Sequence, residues 1–80
     1  GHFEEASKTL RTALATDPQN HLAHYELALT LDAIGDRTAA ETELAVVLAL
    51  RPDWSEARRL LDRWHLKKSS GQGTGIGASR

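Results

Sequence analysis

The sequence predicts an all-α fold, antiparallel helix pairs stacked as an α-solenoid, with about four helices and a flexible C-terminal tail. Three observations carry that prediction. Residues recur at a fixed offset of 34, apolar residues inside each copy recur at helical spacing, and prolines and a glycine stand where helices must stop. Gly1 and Gly35, Ala6 and Ala40, Leu10 and Leu44, Leu14 and Leu48, Ala15 and Ala49, and Pro18 and Pro52 all share this offset. The register continues into Ala23 with Ala57 and Leu27 with Leu61. Small and apolar residues repeat while polar ones drift. Stacked units produce this pattern, because identity is held where neighbours touch.

The first helix is expected over 3–16, where Ala6, Leu10, Ala13 and Leu14 fall on one face. It stops at Asp17-Pro18, since proline lacks the backbone donor and pushes the residue before it out of helical geometry. The second runs over 21–34, opened by Asn20 as N-cap and closed by Gly35. Asp36 caps the third, over 37–50, whose stripe is Ala40, Leu44, Val47 and Leu48, and Arg51-Pro52 ends it. The fourth is expected over 54–67 with Asp53 as cap and Glu56 completing a capping box. Its stripe is Ala57, Leu60, Leu61 and Trp64. Beyond it, SSGQGTGIGASR holds four of the six glycines and reads as a flexible terminus.

This combination resembles the tetratricopeptide repeat, a 34-residue unit of two helices. The resemblance runs from Gly1 to about Lys67. Leu27, Ala28, Leu31, Gly35, Ala40, Leu44 and Pro52 sit on the motif of one complete repeat, and Gly1, Phe3, Ala6, Leu10, Ala13 and Pro18 match the second half of the one before. It implies a helical domain over 1–68, divided into a half repeat (1–20), a complete repeat (21–54) and a closing helix (55–68), with a Gly/Ser-rich tail over 69–80. Three positions depart from the family pattern: His24 replaces the usual tryptophan, Leu31 the usual tyrosine and Arg37 an aromatic. Asp62 stands where the repeat wants a small residue facing a partner helix, so the array is expected to end here. At the other end, Phe3, Leu10 and Leu14 are expected to present an apolar face that another segment or molecule covers.

Composition narrows the chemistry. The 80 residues are 40% hydrophobic and 26% charged, an ordinary globular balance, and no apolar run is long enough to enter a membrane. No cysteine is present, which excludes disulfides, thiolate metal sites and a cysteine nucleophile and leaves the compartment open. The absence of methionine predicts that Gly1 derives from a longer chain. A net charge of -1 conceals an asymmetry: three bases against eight acids over 1–50, and seven bases against three acids over 51–80. The basic residues are too few to signal nucleic acid. His21 and His24 have a spacing that serves metals, but one opens a helix while the other faces the packed layer, so no metal site is expected. The glycine-rich tail follows no strand, so it is no phosphate loop. No catalytic or cofactor-binding residue is identified.

Binding is the remaining function, and the resemblance places it on the concave face lined by the first helix of each pair. On the helix over 21–34, Ala23, Leu27, Ala28 and Leu31 face the core, while Leu22, Tyr25, Leu29 and Ala33 form a second apolar row about half a turn away. That row reads either as a binding floor or as packing against neighbouring helices. Glu56, Arg59, Arg63 and Lys67 share a stripe on the closing helix. Its cations read as a grip on acidic side chains or a terminal carboxylate, or as a solvated face favoured near a helix C-terminus. The family's chaperone-tail binders use a lysine and asparagine clamp. Tyr25 and Leu29 occupy the corresponding places here, which argues against that ligand. The expected function is therefore protein interaction without catalysis, through a peptide or partner helix. The alternatives are array capping, self-association through the first helix, or an accessory role in a larger enzyme.

Overall fold

The computed structural model describes the backbone of residues 2–76 and the side chains of residues 2–66. Four helices follow one another: α1 (Phe3–Thr16), α2 (His21–Ile34), α3 (Arg37–Leu50) and α4 (Ser55–Ile76). Each packs on its chain neighbours, and α2 against α3 is the most extensive of these interfaces. No strand occurs among the described residues.

The 34-residue offset reappears in the backbone. Asp17 and Arg51 close α1 and α3 at φ -136 with ψ 82 and 80, and their N–H groups donate to the carbonyls of Ala13 and Val47 at 3.0 and 2.7 Å. Asn20 donates to Asp17 at 3.2 Å, and Trp54 donates to Arg51 at the same distance. Proline at the second position of each turn removes the donor that would have continued the helix. The two turns are copies of each other in hydrogen bonding, although of their four residues only the proline is shared.

Between α2 and α3 the chain turns at Gly35, whose φ of +104 lies in the left-handed region. Its N–H reaches the Leu31 and Asp32 carbonyls at 3.1 and 3.0 Å, and the Asp36 N–H reaches Leu31 at 2.9 Å. This is a Schellman closure, which satisfies the last carbonyls of α2. Asp36 then accepts from the Ala39 N–H at 3.2 Å and caps α3, so one dipeptide ends one helix and starts the next.

The core lies where α2, α3 and α4 meet. Leu27, Ala28, Leu31, Ala40, Leu44, Val47, Leu48, Ala57 and Trp64 form one buried cluster, with Leu27, Leu44 and Val47 essentially inaccessible. Burial of each such side chain contributes roughly 1.5–3 kcal/mol. Leu60 and Leu61 of α4 pack on the cluster while remaining half-buried.

Three expectations need adjustment. α1 buries no residue completely, but Leu10 and Leu14 rest against the core, so the open apolar surface at this end is Phe3, which is 52% exposed. α4 starts at Ser55, so Trp54 and not Asp53 occupies the cap position, and Asp53 lies in the preceding turn. The reason is the repeat itself: the cap of α2 is Asn20, and its counterpart 34 residues on is Trp54. α4 also continues to Ile76, beyond the expected end near 67. It does so through a segment rich in glycine, a residue that costs about 1 kcal/mol relative to alanine in a helix interior. The tail expected over 69–80 thus begins within a helix, and residues 77–80 lie outside those described.

Two of the family departures have structural partners. Arg37 lies over the Trp64 ring, 4.6 Å from its centroid, and its Nε donates to Asp32 Oδ1 at 2.7 Å. A guanidinium therefore covers the aromatic ring of α4 at the position where the family pattern has an aromatic. His24 joins α2 to α3 through Glu43, at 2.7 Å. Leu31 is buried in the core without any polar partner to satisfy.

Candidate functional site

Away from its core stripe, α2 leaves two large apolar side chains open to solvent. Leu22 is 54% exposed and Leu29 is 40% exposed, although both are large and apolar. Ala23, Leu27, Ala28 and Leu31 on the other side are buried, so the helix has one face used by the core and one that the core leaves open. A surface helix normally turns polar groups to that second face.

Tyr25 is half-buried, and its neighbour explains why. Its ring lies 4.7 Å from the Trp54 ring, tilted by 38°. His21 meets the same indole edge-on at 5.4 Å and 86°. Both arrangements are favourable aromatic geometries. Trp54 occupies the cap position of α4 but has no oxygen to cap with. Its side chain instead lies against the start of α2, joining the first turns of the two helices into one aromatic cluster. Next to it, His21, Arg51, Asp53 and Trp54 line a cavity of about 310 Å³.

Trp54 and His21 were not among the sequence-predicted site residues. The signal that points to Trp54 is the offset from Asn20, which marks a position where a capping residue is expected and an indole stands.

The other predicted residues do not all converge. Ala33 is exposed and belongs to a different cavity of about 320 Å³, which it lines with Phe3, Glu4 and Ile34 at the far end of α2. Glu56, Arg59 and Arg63 are exposed on α4, and none forms an ion pair with another described side chain. The side chain of Lys67 lies outside the described residues.

His21 and His24 diverge. His21 lies against Trp54, while both ring nitrogens of His24 face oxygens of Glu43 and Pro18. Among the described residues no cluster of three or more histidine, cysteine or acidic side chains has the geometry to hold a metal.

Short turns, a glycine closure between paired helices and a 34-residue period in both sequence and hydrogen bonding define a helical-repeat protein. Comparison with known proteins agrees, since the tetratricopeptide repeat family model matches residues 1–63. The chain belongs to the tetratricopeptide repeat family, whose members generally serve as protein–protein interaction modules. It is 35% identical over 72 residues to the mouse (Mus musculus) DnaJ homolog subfamily C member 3. It is 33% identical over the same length to the human (Homo sapiens) and bovine (Bos taurus) proteins of that name. Each match covers 90% of this chain but only 14% of the relative. No solved structure matches the chain. Among the described residues no helix is long and apolar enough to cross a membrane.

Proposed function

We propose that this chain binds a protein partner on the open face of α2, taking an extended peptide or a partner helix and performing no chemistry on it. Leu22, Tyr25 and Leu29 form the apolar floor and Trp54 adds an aromatic wall. Arg59 and Arg63 orient acidic side chains or a terminal carboxylate, with Glu56 setting the limit of the basic stripe. In this reading the face is concave, residues 21–54 form the complete repeat, 1–20 the half repeat before it and 55–68 the closing helix.

The observation that carries the proposal is the exposure of Leu22 and Leu29 on α2, the helix whose Tyr25 meets Trp54 at the margin of the core. Exposed leucines scattered singly need no explanation, but two on one face of one helix are what a recognition surface would use. Aromatic anchors and arginines dominate binding energy at such surfaces.

A peptide array of acidic sequences, each made with a free and an amidated C-terminus, tests this reading. The wild-type chain should retain apolar-acidic peptides, and the Tyr25→Ala/Leu29→Ala double variant should lose them with its helical circular dichroism unchanged. Equal retention by the double variant would remove the face from consideration.

A second reading has its own observation. Phe3 is 52% and Ile34 40% exposed beside the Phe3, Glu4, Ala33 and Ile34 cavity, which favours self-association through α1. Light scattering at rising concentration distinguishes it: growth in mass that Phe3→Ser abolishes supports self-association, and a constant monomer mass excludes it. Because the chain spans a small part of its relatives, an accessory role within a larger enzyme is a third reading, resting on that length alone.

A further inference from the structure

We propose that His24 is a proton-dependent staple, whose doubly protonated ring holds the α1–α2 turn and α3 to α2 at the same time. The geometry makes the case. Nδ1 lies 2.7 Å from Glu43 Oε1 on α3, and Nε2 lies 2.8 Å from the Pro18 carbonyl oxygen in the turn. An ionised carboxylate and a carbonyl are acceptors only, so the ring bonds to each only by donating. A neutral imidazole carries one N–H and satisfies one of them. Its other nitrogen then turns a lone pair towards an oxygen. Only the imidazolium donates to both.

The site amplifies that difference. The His24 and Glu43 side chains are 12% and 19% exposed, so water does not readily replace the bond between them, while the Pro18 bond lies at the surface. Glu43 on α3 is the charged group that faces the ring, and the turn presents the uncharged Pro18 carbonyl. Burial by itself disfavours the charged ring, but the bond from Glu43, the bond from Pro18 and the Glu43 charge together outweigh it and raise the pKa above 6.5.

The direction of the effect follows from linkage. A pKa raised on folding gives stability that is complete below the unfolded value of 6.5 and is lost as pH rises through the folded value. The repeat is therefore tied more tightly in mildly acidic than in mildly alkaline solution. Because α2 also carries Tyr25 and Leu29, the staple sets the helix that bears the proposed binding face. The family's usual tryptophan has no titration in this range, so the histidine introduces a property that an aromatic there lacks.

The test needs no binding partner, so its outcome is separate from that of the proposed binding function. Imidazole resonances of the 80-residue chain are assigned and titrated by NMR in the wild type and in Glu43→Gln. The His24 midpoint should lie above 6.5 in the wild type and fall in the variant, which keeps an acceptor but loses the charge. In parallel, the wild-type urea midpoint should drop between about pH 6 and about pH 8, and His24→Phe should remove His24's share of that drop. A wild-type His24 midpoint at or below 6.5, or one unmoved by Glu43→Gln, overturns the proposal. The same holds for a urea drop that persists undiminished in His24→Phe. The wild-type titration decides the question even if a variant fails to fold.

Discussion

α1 and α3 are equivalent helices separated by one repeat, yet they are buried to different extents. Leu10 and Leu14 are half-buried, whereas Leu44 and Leu48, 34 residues on, are buried; Ala13 is exposed and Val47 is inaccessible. The reason is the number of neighbours. α3 lies between α2 and α4, while α1 packs on α2. In a stacked array the same residue contributes according to what stands on either side of it, so stability accumulates by interface and not by helix.

The most demanding way to break that comparison is to truncate equivalent leucines. Leu44→Ala should cost about 2–5 kcal/mol, as cavities at fully buried leucines do, and Leu10→Ala distinctly less. Urea midpoints of the two variants measure the gap. Equal losses would mean that α1 is as tightly held as α3, contrary to its exposure.

The two copied turns allow a finer comparison, because matching backbones carry different side chains. Asn20 accepts from the Ala23 N–H at 3.1 Å, whereas Trp54 uses the same position to meet Tyr25 and His21. Trp54→Ala should weaken partner capture by about 30-fold, the size of a loss of roughly 2 kcal/mol at an aromatic anchor. Titration of a retained peptide against both proteins checks this, and unchanged affinity would confine Trp54 to packing.

Asn20→Ala removes a cap and should destabilise the chain by about 1 kcal/mol in thermal or urea melts. Trp54→Asn, compared with Trp54→Ala, should recover a similar or smaller amount by capping α4. No difference between those two variants would show that the second turn does not accept a cap. The smallest effect concerns pH. The wild type should lose stability as pH rises through the raised pKa of His24, and His24→Phe should lack that component. Urea midpoints at paired pH values read it directly.

The limits of α1, α2 and α3 were legible because each has a short-range cause: Asp17-Pro18, Arg51-Pro52, the Asn20 cap and the Gly35-Asp36 dipeptide. The fourth helix was less legible. Asp53 resembled a cap more than Trp54 did, and composition suggested an end before the serines and glycines that the helix enters.

Within the candidate site, the exposed row of Leu22 and Leu29 followed from periodicity, but the contacts that complete it did not. Trp54 meets Tyr25 across 29 positions and His24 meets Glu43 across 19, and no local rule couples residues so far apart. Arg37 appeared only as a departure from a family pattern until the Trp64 ring beneath it was visible.

The two indoles report on different parts of the molecule. Trp64 is 3% exposed beneath the Arg37 guanidinium, and Trp54 lies half-exposed among the rings at the opening of α2. Buried and hydrated indoles emit at different wavelengths, so the intrinsic fluorescence of the unmodified chain contains two separable colours. The bluer one follows the integrity of the interior and the redder one, on the proposed binding role, follows occupancy of the surface, so unfolding and any ligand capture are recorded in one cuvette without attaching a dye.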